Sequence, residues 1–316
     1  MSRKDGMKVL ITGGTGRWGP TIHQAFLENG FDIRLLLHRK KIKSPGANCE
    51  LVWGDVMQPD SVRQAIEGVD AVVHLAGMVQ PFTEMNPELA KVLNVGGTRT
   101  VVSIIKEKGG NIPLVFPSSV AIFGLCSDAD QPLHCDRNPC NPTTVYAETK
   151  VESENLIKES GIDYVILRVT AVPYLKITLG DLKAHLFTVP LKNRMEFCHP
   201  DDASLAVVNA IKYFDRVKGR TLLIAGGPSQ QMLWEDLLSV VFGTFGLPLP
   251  PESKFAREPY PMHWYDTTES EELLQYQHKT VEDYGADLAG LLPSPLIALM
   301  RRFIGPVFGR LIVRLI

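Results

Sequence analysis

The sequence is short of everything that marks a special environment. No apolar run of membrane-spanning length opens it: the first apolar stretch, Val9 to Ile11, is followed at once by glycines. Met1 to Gly6 is polar with no signal-peptide core behind it, so the expected location is the cytoplasm. Neither sign of charge dominates. A net charge of −2 and a pI near 6.5 give no basic face for nucleic acid, and no such partner is expected. Five cysteines (Cys49, Cys126, Cys135, Cys140, Cys198) are odd in number and irregularly spaced, which excludes a disulfide framework. Cys126, His134, Cys135 and Cys140 cluster without the paired spacing of a zinc site, and no metal is expected. Hydrophobic residues at 45% and charged residues at 22% are globular averages, which excludes disorder. A chain of 316 residues then holds one large domain, or one with a smaller lobe.

What is present is an alternation of short apolar runs and helical patterns, the signature of a doubly wound parallel α/β sheet. Strands are predicted over Lys8–Thr12, Asp32–Leu37, Cys49–Trp53, Ala71–Leu75, Leu114–Phe116, Tyr164–Arg168 and Thr221–Ala225. Ala71–Leu75 has no charged residue, as a strand buried on both faces requires. Helices are predicted over Pro20–Glu28, Asp60–Glu67 (capped by Asp60 or Ser61), Leu89–Lys108, Val145–Glu159 and Ala203–Lys212 (capped by Asp201 or Asp202). After Arg168 the rhythm breaks, and prolines cluster between helical pieces from Pro248 to Pro261. The expected layout is a dinucleotide-binding domain over residues 1–172 and 201–228 and a discontinuous C-terminal substrate lobe over 173–200 and 229–294. A tail over 295–316 completes it.

Thr12-Gly13-Gly14-Thr15-Gly16-Arg17-Trp18-Gly19 lies between the first strand and the first helix, the context in which a glycine triplet signals dinucleotide binding. Gly13 permits the tight turn, Gly16 lets backbone approach a pyrophosphate, and Gly19 lets helix pack on strand. The helix start supplies free N–H groups and a positive partial charge. An acid at the end of the second strand would hold the ribose 2′-hydroxyl of NAD. None is there: His38-Arg39-Lys40-Lys41 follows Leu37. Arg39, with Arg17 reaching toward it, suits a 2′-phosphate, so NADP is the expected cofactor and NAD the second choice.

Tyr146 and Lys150 are four apart on one helix face. An ammonium beside the phenol favours the phenolate, drawing Tyr146 down from about 10 toward working pH as a proton donor and acceptor. Ser118-Ser119 ends the fifth strand on the sheet's ligand edge, where a hydroxyl can hold a substrate oxygen.

With these residues in order, the chain resembles the extended short-chain dehydrogenase/reductase family, the epimerase/dehydratase-like superfamily with a Rossmann fold. Further matches are Gly54-Asp55-Val56, His74-Leu75-Ala76-Gly77, Asn94-Val-Gly-Gly-Thr98, Ser118 to Gly124 and His199-Pro-Asp-Asp-Ala203, and the likeness spans residues 7 to 285. The resemblance implies Ser119, Tyr146 and Lys150 as the catalytic set. It also implies cofactor contacts at Gly13, Thr15, Gly16, Arg17, Trp18, Gly19, Arg39, Asp55, Val56, Leu75, Ala76, Gly77, Asn94, Tyr146 and Lys150. Asp55 and Val56 would flank the adenine, Asn94 would support the lysine or the cofactor, and a homodimer would form near Leu89 and Val151.

Departures from the family narrow the reaction. Ser119-Val120-Ala121 stands where nucleotide-sugar dehydratases carry Thr-Asp-Glu, and Arg168-Val-Thr-Ala171 lacks the asparagine that follows in epimerases. The leading expectation is an NADP(H)-dependent oxidoreductase interconverting a ketone and a secondary alcohol on a small organic or lipid-like molecule. A nucleotide-sugar epimerase with retained NAD is the alternative, and a non-catalytic cofactor-sensing module a third. Aromatic residues Phe82, Tyr174, Phe187, Tyr260 and Trp264 fall in the segments expected to line the substrate pocket. In residues 296–316, apolar side chains recur at helical spacing with Arg302, Arg310 and Arg314 together on another face and no acid. Such a basic amphipathic helix either lies in a membrane interface or packs on its own lobe or a partner subunit.

Overall fold

In the computed structural model, residues 6–42, 45–126, 131–174 and 186–293 are described, with single positions 295, 298, 301 and 302 beyond them. The expected tail helix therefore lies outside the described residues apart from those positions. β1 (Lys8–Thr12), α1 (Gly19–Glu28), β2 (Asp32–Leu37), β3 (Cys49–Trp53), α2 (Pro59–Ile66) and β4 (Ala71–His74) form the first half of the sheet. α3 (Phe82–Met85) and α4 (Pro87–Lys91) run through a π-turn, Val92–Gly96, into α5 (Gly97–Glu107). β5 (Leu114–Ser119), α6 (Val145–Glu159) and β6 (Tyr164–Val169) follow. The remainder is β7 (Arg194–Glu196), α7 (Pro200–Lys212), α8 (Phe214–Val217), β8 (Thr221–Ile224), β9 (Gln231–Leu233), α9 (Trp234–Thr244), α10 (Thr268–Leu274) and α11 (Val281–Gly290).

Seven parallel strands stand in the order β3-β2-β1-β4-β5-β6-β8, with helices on both faces. The alternation of β1 shows why: Val9 and Ile11 join one core with Ile22 and Phe26 of α1, while Leu10 joins the other with Val62 and Ile66 of α2. Each such side chain, fully buried, contributes about 1.5–3 kcal/mol. The strand order reverses between β1 and β4, where Thr12 pairs with His74, and the crevice beyond those two strand ends is where doubly wound sheets bind ligands. Over that edge stands a smaller lobe built on the antiparallel pair β7 and β9, with α9 and α11 packed through Leu237, Tyr284 and Leu288. Three-residue strands leave too short a pattern to read in sequence.

Several local expectations are corrected. Gln58, not Asp60 or Ser61, is the cap of α2, because Pro59 takes the first helical position, where its missing N–H costs nothing. His199 caps α7 through Nδ1, which accepts the Asp201 N–H at 3.2 Å. Asp202 instead accepts the backbone N–H groups of His278 and Lys279 at 2.9 and 2.8 Å. Asp201 pairs with the Lys279 ammonium. The helix expected over Leu89–Lys108 is real but interrupted by the π-turn around Asn94.

Candidate active site

The crevice is a cleft of about 970 Å³ running from the glycine turn to the small lobe, at the upper end of small-molecule sites. Its first half is built from backbone. Gly13 has φ +72, and a Cβ there would come within 2.5 Å of Ala76 N, so the turn after β1 can lie against the turn after β4 only as glycine. At Gly19 a Cβ would fall 1.9 Å from Gly14 O, which closes the helix start onto the loop. Trp18 Nε1 donates to Ser204 Oγ at 2.9 Å and ties the loop to α7. This backbone cradle at a helix N-terminus fits a dinucleotide diphosphate.

Beneath it runs a closed chain of hydrogen bonds. The Thr98 hydroxyl donates to Asn94 O at 2.6 Å, so at 3.2 Å it takes its own bond from His74 Nε2–H. His74 Nδ1 then accepts from the Thr12 hydroxyl at 2.7 Å, and Thr12 Oγ1 accepts the Ala76 N–H at 3.3 Å. Burial, reinforced by the nearby Lys150 charge, pushes His74 down to about 3, so it stays neutral in this role.

The second half of the cleft starts at α6. Thr144 caps that helix by accepting the Ala147 N–H, and the first turn presents Tyr146. Ser119 lies close enough to ease the ionisation of the phenol, and its Oγ accepts the Ala121 N–H at 3.2 Å. One turn on, Lys150 Nζ donates to Pro117 O at 2.8 Å and lies 5.9 Å from the Tyr146 ring centre. Burial brings Lys150 down to about 8, against the pull of Glu154. The expectation that the lysine lowers the phenol is not met: burial, with Tyr174 adding to it, pushes Tyr146 well above its ordinary value. The protonated phenol is thereby favoured. Ser118 does not compete with Ser119 for this site, since its hydroxyl donates to Glu154 Oε1 at 2.6 Å in a buried network.

A model of the NAD dependent epimerase/dehydratase family matches residues 9–173, more than half of the chain. The chain belongs to that family. It is 29% identical over 218 residues to the protein y4nG of Sinorhizobium fredii, covering 64% of this chain and 52% of that one. It is also 31% identical over 171 residues to sterol demethylase protein B of Methylococcus capsulatus, covering 52% of each. The chain thus spans about half the length of these curated relatives. Among solved structures, the NAD+ complex of WbmH from Bordetella bronchiseptica shares the fold with a TM-score of 0.71 and 23% identity, covering 94% of this chain and 99% of that one.

In this family member the cleft wall brings together Gly13, Thr15, Gly16, Arg17, Trp18, Gly19, Arg39, Asp55, Leu75, Ala76, Gly77, Ser119, Tyr146 and Lys150. Two expected cofactor residues, Val56 and Asn94, are not part of this wall. Val56 packs toward α5, where a Cβ on Gly97 would meet its Cγ2 at 3.2 Å. Asn94 stands behind the wall, on a small pocket that it shares with Gly77, Tyr146 and Lys150. Its Oδ1 accepts the Met78 N–H at 2.7 Å, and its Nδ2 donates to Thr149 Oγ1 at 2.9 Å, which fastens the turn after β4 to α6. Arg17 also lines the cleft, and its charge opposes the burial that raises Tyr174.

Of the expected pocket aromatics, Tyr174 and Tyr260 line the cleft. Phe187 stacks edge-on with Phe255, Trp264 carries Arg194 on its face, and Phe82 is half exposed. Sequence reading missed Trp234, Leu237, Leu238 and Val241 of α9, with Met195 and Tyr284, which close the far end. Trp234, Leu237, Leu238 and Val241 repeat at helical spacing, the available signal, though a stripe of that kind also describes any core helix. His199, Asp201 and Asp287 converge as metal ligands do. Lys279 Nζ already sits between the two carboxylates, and because His199 Nδ1 accepts a backbone N–H, its Nε2 carries the proton toward Asp287 Oδ2, 3.2 Å away.

Proposed function

We propose that this protein is an NADP(H)-dependent oxidoreductase that interconverts a ketone and a secondary alcohol on a substrate with an apolar body. The observation that carries this reading is the asymmetry of the cleft. Its described charged or basic wall residues are Arg17, His38, Arg39, Lys40, Asp55 and Lys150. The half beyond Tyr146 presents Val172, Pro173, Leu186, Val189, Met195, Trp234, Leu237, Leu238 and Val241. Apart from Arg17, whose charge reaches Tyr174, the described wall of that half carries no cation for the diphosphate of a nucleotide sugar, which favours an apolar substrate over the epimerase alternative. The similarity to a relative named for sterol demethylation points the same way.

The glycine turn, the start of α1 and Asp55 would hold the dinucleotide, with Arg39 and its basic neighbours on a 2′-phosphate. When bound there, the nicotinamide exchanges a hydride with the substrate carbon. The remaining chemistry belongs to the chain. In reduction, Tyr146 gives its proton to the substrate oxygen, and burial keeps that proton on the phenol until it is needed. Ser119 donates to the same oxygen as negative charge grows on it. The Lys150 ammonium lies close enough to stabilise the phenolate that results. Oxidation reverses each step.

The experiment is a turnover assay with NADPH and NADH against apolar cyclic ketones, their alcohols and UDP-glucose. Tyr146→Phe is expected to lower turnover of the accepted ketone by about 10²–10⁴-fold with cofactor affinity unchanged. Conversion of UDP-glucose without net cofactor use, or full turnover in the phenylalanine variant, would overturn the reading.

A further inference from the structure

The loop between β5 and α6 brings two thiols to a single guanidinium. Arg168, buried at the end of β6, is held bidentately by Glu154, with Nε to Oε1 at 3.1 Å and Nη2 to Oε2 at 2.9 Å. Its outer edge faces the loop. Nη1 donates to Cys135 Sγ and Nη2 to Cys140 Sγ, each at 3.5 Å, and Nη1 also reaches Cys135 O at 3.3 Å. The two sulfurs therefore converge on adjacent nitrogens of one planar cation, from positions five apart in a loop. That loop is pinned internally by His134 N–H to Asn138 Oδ1 at 2.7 Å and at its far end by Asn141 N–H to Ile122 O at 2.8 Å.

The two thiols differ in the way a reacting pair requires. Cys140 is exposed, whereas Cys135 is partly covered, with its Sγ donating to Thr221 O at 3.1 Å. Both sulfurs thus stand beside one guanidinium, and Cys140, the exposed one, is the first that a dissolved oxidant reaches. We propose that Cys140 and Cys135 form a peroxide-reactive pair, Cys140 attacking a hydroperoxide and Cys135 resolving the product as a disulfide.

The Cys140 thiolate attacks the outer oxygen of the hydroperoxide and the O–O bond breaks. The sulfur becomes a sulfenic acid, and the departing alkoxide or hydroxide takes up a proton as alcohol or water. The Cys135 sulfur then attacks that sulfenic sulfur, an S–S bond forms, and the hydroxyl leaves as water with the Cys135 proton. In sum two thiols give up two electrons, and one hydroperoxide is reduced to an alcohol, or to water, and a further water. The order follows from exposure: burial pushes Cys135 up, only partly offset by Arg168, so it waits as thiol until the sulfenic acid is beside it. This inference is independent of the reaction proposed for the cleft.

Trypsin separates the pair, because Arg137 lies between them while Cys135 falls in the fragment 109–137 and Cys140 in 138–150. The full-length protein is treated with a few equivalents of hydrogen peroxide, the remaining thiols are alkylated, and the digest is read by mass spectrometry. The expected result is a cross-linked pair of these fragments, two hydrogens lighter than their sum, holding most of the Cys140. Fragmentation assigns the bond to Cys135 and not Cys126, and Cys126→Ser retains it. In Cys135→Ser the sulfenic acid on Cys140 persists and is captured by dimedone. Cys140 found doubly oxidised with Cys135 still alkylatable, a bond to Cys126, or both thiols alkylated as in untreated protein would each overturn the proposal.

Discussion

At the scale of single residues, burial does most to set the chemistry of the cleft. It raises Tyr146 and lowers Lys150, so two groups of nearly equal ordinary proton affinity are driven apart, and the proton is held on the phenol more firmly than on the lysine. Lys150 at about 8 keeps its ammonium at neutral pH and loses it above that value. Dinucleotide affinity is therefore expected to hold from pH 6.5 to 7.5 and to weaken several-fold by pH 9.5. Fluorescence titration of NADPH checks this, and Lys150→Arg, which keeps its charge throughout, is expected to flatten the profile. Arg39 belongs to the opposite end. It is exposed at the cleft rim and stands just past the end of β2, where an acid would select NAD. Arg39→Ala is expected to weaken NADPH binding about 10- to 100-fold, the worth of one charge-assisted hydrogen bond, with NADH binding unchanged. Equal losses for both cofactors would remove the residue from any 2′-phosphate site.

At the scale of elements, the site is held by ties that no motif announces. Glu154, one turn past Lys150, binds Arg168 of β6, Ser118 of β5 and Lys158, so the helix that presents Tyr146 is fixed to two strands at once. Glu196 of β7 does the same in the small lobe. Its carboxylate accepts N–H groups from Gly227 at 2.9 Å, Tyr265 at 2.8 Å and the Gln231 amide at 3.1 Å, with no exposure to solvent. Burial outweighs those donors and lifts Glu196 from 4.5 to about 7. Because the folded value is raised, the unfolded chain releases this proton first as pH climbs. Stability falls between about pH 4.5 and 7 and then levels off. Relative to Glu196→Gln, the wild type is expected to lose on the order of 3 kcal/mol between pH 5 and 8, read from urea midpoints. A difference independent of pH would show that the carboxylate is already ionised at pH 5.

The same contrast explains what was legible beforehand. The glycine turn, the seven sheet strands and the Tyr146–Lys150 pair announce themselves because each is a local pattern: a turn needing φ > 0, an unbroken apolar run, two positions on one helix face. The cap of α2, the π-turn at Asn94, the partners of Glu154 and the wall formed by α9 depend on contacts between distant segments. The side-chain partners of Asn94, Met78 and Thr149, lie 16 and 55 residues away and leave no trace in its own surroundings. The Tyr146 shift was misjudged for a related reason: spacing puts an ammonium near a phenol, but only packing shows how completely both are shielded from water.

At the scale of the whole molecule, the open question is what the C-terminal segment rests on. No helix among the described residues is long and apolar enough to cross a membrane. Arg301 gives one fixed point. Its Nε donates to Thr244 O at 2.8 Å, at the C-terminal end of α9, where carbonyls lack partners within the helix and a cation is favoured. Gly246 has φ +70 there, and a Cβ on it would come within 2.7 Å of Arg301 Cα, so at this position the chain lies directly on its own lobe. Because α9 also supplies the far wall of the cleft, the tail and the substrate end share one helix. Truncation after residue 295 is therefore expected to lower the thermal midpoint by several degrees and to weaken binding of whichever apolar ketone the turnover assay selects, with co-sedimentation on anionic vesicles unchanged. Loss of vesicle binding with an unaltered midpoint would instead assign the segment to the lipid surface.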